Sequence, residues 1–180
     1  MLRFVTGNEG KLREARAHLS EPVEGVAYDY VEIQSDDLAA IASYGAREAF
    51  EATGGEHPVL VDDAGLFVDA LGGFPGPYSA YVEETLGIER VWQLVADESN
   101  RRASFRAVVA YADGETVETF AGAVRGRLVA PRGEGGFGYD PIFEHDGRTF
   151  AEMTVEEKNA LSHRGRALAK FATWYREQRE

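Results

Sequence analysis

The run Val59-Leu60-Val61-Asp62-Asp63-Ala64-Gly65-Leu66 narrows the fold more than any other stretch. Three consecutive apolar residues, two of them β-branched, read as a short buried strand. Two adjacent carboxylates, Asp62 and Asp63, follow at once. Acids at the end of a buried strand are costly unless they are paired, hydrogen-bonded, metal-bound or open to water. Strand ends that open onto a crevice are also where α/β folds bind ligands. A solvated turn is the plain alternative for an isolated Asp-Asp. A second mostly apolar run, Leu66 to Leu71, leads into Gly72-Gly73-Phe74-Pro75-Gly76-Pro77.

The length of 180 residues fits one domain, or one domain with two lobes, and is enough to bury a sizeable core. Cysteine is absent, which excludes a disulfide framework, a thiolate metal site and a thiol nucleophile. No apolar run approaches the ~20 residues of a membrane span, and the N-terminus lacks a signal-peptide pattern. A cytoplasmic protein without membrane contact is expected. The formal net charge of -12 argues against a broad nucleic-acid surface. It leaves room for one small anionic ligand in a local basic pocket. Lysine occurs only at Lys11, Lys158 and Lys170, so each is worth a separate reading.

Leu2 to Thr6 reads as a first strand and Leu12 to Leu19 as a helix, joined by the turn Thr6-Gly7-Asn8-Glu9-Gly10-Lys11. Free N–H groups at such a helix start, the helix dipole and Lys11 together suit a phosphate. The P-loop spacing is missing, so a simple turn remains the alternative. Val26 to Gln34 is β-branched and aromatic enough for a strand, with Glu32 on the face opposite Val31 and Ile33. Asp36 or Asp37 can cap a helix over Leu38 to Thr53, which Gly54-Gly55 ends.

A single helix is expected over Glu83 to Ala96, with Leu86, Val91, Leu94 and Val95 inward and Gly87 a weak point. Ala103 to Tyr111 and Thr116 to Val124 read as strands of a hairpin turned at Asp113-Gly114, with Gly126 to Val129 extending it. This hairpin is expected to form sheet away from the first strand–helix unit. The glycine-rich run Gly133 to Pro141 offers backbone for close approach to a ligand. Its Phe137 and Tyr139 either stack on a base or tuck into the core. Thr154 to Glu157 fits a capping box, followed by Lys158, whose plain reading is a surface lysine. Ser162 can cap a last helix to about Arg176, with Leu168, Phe171 and Trp174 inward. His163 and Arg164 fall in its first turn, where the dipole disfavours cations, so a ligand-facing role is expected.

Separated segments thus point to one ligand class. Thr6 to Lys11 and Lys158 offer phosphate-binding groups. Glu32, Asp62 and Asp63 offer the hard oxygens that Mg²⁺ uses. Phe137 to Asp140, His163 and Arg164 offer a base pocket.

The chain resembles the inosine triphosphate pyrophosphatase (XTP/dITP diphosphatase) family. The resemblance rests on Thr6-Gly7-Asn8-x-x-Lys11-Leu12-x-Glu14, Glu32-Ile33-Gln34, Val61-Asp62-Asp63-x-Gly65-Leu66 and Gly72-Gly73-x-Pro75-Gly76-Pro77-Tyr78-Ser79. Phe137-Gly138-Tyr139-Asp140-Pro141, Thr149 to Met153, Glu157-Lys158-Asn159 and Ser162-His163-Arg164 continue it in the same order. Ala64 and Tyr81 depart from it, standing where many members carry Ser and Arg. The resemblance implies a two-lobed α/β fold, with a long mixed β-sheet flanked by helices and a central cleft, formed by residues 1–180 as one domain. It implies a homodimer and Mg²⁺-dependent hydrolysis of ITP, dITP and XTP to monophosphate and pyrophosphate. Following it, Asp63 is the base that activates water, and Glu32 and Asp63 hold the metal. Thr6, Gly7, Asn8, Glu9, Gly10, Lys11, Ala64, Phe137, Gly138, Tyr139, Asp140, Lys158, His163 and Arg164 are the expected substrate contacts. A Maf-like pyrophosphatase with another base preference and a nucleotide sensor without catalysis are the competing functions.

Overall fold

The computed structural model describes residues 1–179. The fold is mixed α/β. One eight-stranded sheet has the order β2-β1-β3-β5-β6-β7-β8, with β4 paired to β3. The strands are β1 (Leu2–Val5), β2 (Val23–Val26), β3 (Val59–Val68), β4 (Pro75–Gly76), β5 (Arg102–Ala112), β6 (Val117–Leu128), β7 (Phe143–His145) and β8 (Arg148–Thr149). The helices are α1 (Glu9–His18), α2 (Leu38–Ala52), α3 (Ser79–Leu86), α4 (Ile88–Gln93), α5 (Val155–Leu161) and α6 (His163–Glu177). No helix among the described residues is long and apolar enough to cross a membrane.

The chain divides into two compact units, and β3, β5 and β6 each contribute to both. The first holds Met1–Asp63, Ala107–Gly122 and His163–Glu180. Its core joins Leu2 and Phe4 of β1, Leu12 and Ala15 of α1, Leu60, Val109, Tyr111, Leu168 and Phe171. In this unit β1 runs parallel to β2 and to β3, with Val5 opposite both Val26 and Val61. Leu38, Ile41, Ala42, Gly45, Ala46 and Ala49 form the buried face of α2 at helical spacing. The second unit holds Ala64–Arg106 and Ala123–Ser162. Its core joins Leu66, Val68, Val82, Val91, Phe105, Leu128, Tyr139, Phe143 and Phe150.

Several elements differ from expectation. The Val26–Gln34 strand is absent. β2 ends at Val26, and residues 27–35 carry no regular structure. The reason is a missing partner: among the described residues β2 pairs only with β1, whose register ends at Val5 opposite Val26. Val31 is 63% exposed, so the alternation around Glu32 does not mark a sheet face. The helix expected over Glu83–Ala96 is two helices that begin earlier, broken at Gly87 with φ 82°. Leu86 and Leu94 are exposed, whereas Val91 and Val95 are buried. The β5–β6 hairpin lies in the same sheet as β1, with β3 between β1 and β5. β5 is buried on both faces over Ala107–Ala112, as suits a central strand.

Candidate active site

β3 does not stop at the acids. Its strand runs from Val59 through Asp62 and Asp63 to Val68. The parallel register with β1 ends at Val61, so the acids sit where the parallel part of the sheet gives out. Successive strand residues point to opposite faces, so Asp62 and Asp63 face apart. Both are buried.

Asp62 is the centre of an ion network in the first unit. Its Oδ2 accepts from Arg164 Nε at 2.8 Å, and its Oδ1 lies 2.6 Å from Lys11 Nζ. Arg164 Nη1 also donates to Glu14 Oε2 at 2.9 Å. Burial alone pushes the Asp62 carboxyl up. The charges of Arg164 and Lys11, with their hydrogen bonds, outweigh that and hold it well below the usual carboxylate range. Arg164 is held fully protonated by the same two carboxylates, against the effect of its own burial. Its buried guanidinium bonds both Asp62 and Glu14. Lys11 differs: its side chain is 25% exposed while it holds Asp62, so it can also meet a phosphate. His163, next to Arg164, is buried in the first turn of α6.

The expected phosphate turn is in part a helix. α1 begins at Glu9, and Asn8 is its N-cap. Asn8 Oδ1 accepts from the N–H groups of Gly10 at 2.8 Å and Lys11 at 3.2 Å, while Thr6 Oγ1 accepts from Asn8 N–H at 3.0 Å. The amides of Asn8, Gly10 and Lys11 are thus bonded within the turn. Gly7, Asn8 and Glu9 are exposed.

Glu32 is exposed and lies on the irregular segment after β2. Two residues before it, Tyr30 is raised far above the ordinary phenol value. Burial is the largest cause, followed by the charges of Asp63, Asp62, Glu32 and Asp29. One hydroxyl thus sits in the field of Glu32 and of both strand acids. Among the described residues no three His, Asp or Glu side chains are grouped so as to hold a metal by themselves. Mg²⁺ asks for less, taking one or two carboxylates and completing its shell with waters and substrate phosphates. Glu32 and Asp63 fit that donor set.

In the second unit the glycine-rich loop is built around Asp140. Its Oδ2 accepts from Phe137 N–H at 2.9 Å and from Lys158 Nζ at 2.7 Å. The Lys158 ammonium also lies 4.1 Å from the centre of the Phe137 ring. Lys158 is buried, not a surface lysine. A Cβ at Gly136, where φ is 71°, would collide with the Asp140 carboxylate, so only glycine closes the loop this tightly. Tyr139 is buried in the core, its hydroxyl donating to Ser79 O at 2.7 Å. It is not the stacking surface that the sequence allowed for. Phe137 and Gly138 are half-buried. Ala64, the first residue of this unit, is half-buried on β3.

The structure therefore brings together Lys11, Glu14, Asp62 and Arg164, and separately Phe137, Asp140 and Lys158. The sequence model of the Ham1 family matches residues 2–174. The chain belongs to the Ham1 family. It is 53% identical over 180 residues to the dITP/XTP pyrophosphatase of Methanopyrus kandleri, covering 96% of this chain and 95% of that one. Against the dITP/XTP pyrophosphatase of Thermococcus kodakarensis the identity is 51% over 183 residues, with 98% and 97% covered. Among solved structures, a HAM1 protein from Coxiella burnetii matches with a TM-score of 0.86 at 33% identity, covering 98% of each chain. The nucleoside-triphosphatase and dITP/XTP pyrophosphatase of Mycobacterium abscessus gives 0.72 at 34% identity, with 94% and 97% covered.

Sequence reasoning passed over Glu14 although it stands in a quoted motif of this Ham1 chain. Its spacing of three from Lys11 puts both on one side of α1, and that was the available signal. Tyr30 and its contacts on α2 carried no such signal.

Proposed function

We propose that the chain is a nucleoside triphosphate pyrophosphatase that hydrolyses dITP, XTP and ITP to the monophosphate and pyrophosphate. The observation that carries this reading is the pair of adjacent buried acids on β3 that face apart. Asp62 is neutralised by Arg164 and Lys11 and acts as the anchor of the network. Asp63 points away from it and is assigned the base that takes a proton from the attacking water. Full-length kinship to proteins named dITP/XTP pyrophosphatase supports the substrate class.

Glu32 and Asp63 are the residues proposed to hold Mg²⁺. When bound, the ion would neutralise phosphate charge and favour attack at phosphorus. Lys11 is assigned to the phosphates, together with the Thr6 to Gly10 turn. Lys158 and Asp140 are proposed to fix the Phe137–Gly138–Tyr139 backbone for the base, and Ala64 remains a proposed backbone contact. A donor to the 6-oxygen of hypoxanthine or xanthine is assigned to His163, Arg164 or a loop N–H. Against the 6-amino group of adenine such a donor loses its partner, at about 1–3 kcal/mol. A homodimer working in the cytoplasm, with residues 1–180 as one functional domain, completes the proposal.

The test is one panel of dITP, XTP, ITP, GTP and ATP with Mg²⁺ and chromatographic identification of products. Pyrophosphate and monophosphate from the first three, with ATP poorly used, is the expected result. Nucleotide binding without turnover would make the protein a sensor. A preference for other bases would favour the Maf-like alternative.

A further inference from the structure

Glu32 lies on a segment with no strand or helix to fix it. The segment is nevertheless pinned at three points, all on α2. Tyr28 Oη donates to Glu48 Oε1 at 3.0 Å. The Val31 N–H donates to Glu48 Oε2 at 3.3 Å. Between them the Tyr30 ring lies against Gly45, where an added Cβ would meet ring carbons Cε2 and Cδ2 at 2.5 and 2.6 Å. Gly45 is on the buried face of α2, among alanines that would suit its helix better. Glycine in mid-helix weakens the helix, and here it makes room for one aromatic ring.

We propose that Gly45 and Glu48 of α2 are positioning residues that seat the Tyr28–Val31 segment and so hold Glu32 where it can ligate a divalent cation. The inference rests on the reading of Glu32 as a metal ligand. Glu48 grips the backbone one residue before Glu32, so its two bonds limit where the Glu32 carboxylate can go. Tyr30, wedged on Gly45, fixes the rotation of the same stretch. Residues that orient a ligand typically hold about 10–100-fold of metal affinity.

Gly45→Ala separates this role from general stability, because alanine favours the helix while its methyl expels the Tyr30 ring. Mn²⁺ binding to the protein without nucleotide, read by electron paramagnetic resonance, gives the affinity. Thermal unfolding gives the stability. Gly45→Ala and Tyr28→Phe are both expected to weaken Mn²⁺ by about 10-fold and to raise the Mg²⁺ needed for half-maximal turnover. Tyr28→Phe, which only removes a hydroxyl, keeps the question answerable if Gly45→Ala does not fold. Glu32→Gln is the reference. If Glu32→Gln weakens Mn²⁺ and neither other variant does, the seating role is overturned and the ligand stands. If Glu32→Gln leaves Mn²⁺ affinity unchanged, the ligand assignment falls and the seating role with it.

Discussion

Arg164 shows how one side chain decides what its neighbours can do. It carries the positive charge that allows Asp62 and Glu14 to be buried together. Removing one partner of a buried ion pair leaves an uncompensated charge, at about 3–5 kcal/mol. Arg164→Ala is therefore expected to lower unfolding stability by that amount in urea titrations, in contrast to a substitution confined to base choice. Lys158→Ala should act in the same direction in the second unit, leaving the buried Asp140 with the Phe137 N–H bond but without its ammonium partner. Asp62 adds a pH signature. Its carboxyl is depressed in the folded state, so its stabilising contribution is complete above the ordinary value near 4. That contribution is lost as pH falls through the lower folded value. The stability gap between wild type and Asp62→Asn should be widest near pH 6 and close progressively below about pH 4. A gap of constant width across that range would mean that Asp62 is not held ionised by its partners. The acids themselves were legible in the sequence because Asp-Asp after Val-Leu-Val is unusual chemistry. The Asp62–Arg164 contact was not, because the two lie 102 positions apart and nothing local links them.

At the scale of elements, local signals succeeded where the chain satisfies itself. The Thr154 capping box with Glu157 and the Asp37 cap of α2 are both present. So is the Asp113-Gly114 turn, where Asp113 Oδ1 accepts from Glu115 and Thr116. They failed where a distant partner decides. The Val26–Gln34 pattern looks like a strand, yet β1 offers it no register beyond Val26. Asp62 and Asp63 looked like a strand end, yet β3 continues, pairing with β4 from Leu66 opposite Gly76. That continuation depends on Gly65, where a Cβ would run into the carbonyl of Gly76. Gly65→Ala is expected to cost about 1–3 kcal/mol as overpacking, seen as a lower melting temperature. An unchanged melting temperature would show that β4 is loosely held.

For the molecule as a whole, the sequence carried the α/β class and the long mixed sheet, because motif order along the chain is preserved. The two lobes came only from the resemblance, and their boundary was not legible, since β3, β5 and β6 each supply residues to both units and no linker marks it. With a net charge of -12, self-repulsion opposes the folded state. Raising KCl from about 0.05 to 1 M, which shortens the screening length several-fold, should raise the melting temperature. The account turns most directly on Asp63. Asn in its place keeps the shape and removes the charge and basicity. In Asp63→Asn protein that melts like wild type, pyrophosphate release from dITP at saturating Mg²⁺ is expected to fall by at least about 100-fold, the scale of a lost general base. Turnover within a few-fold of wild type in that protein would contradict the assignment and the mechanism built on it.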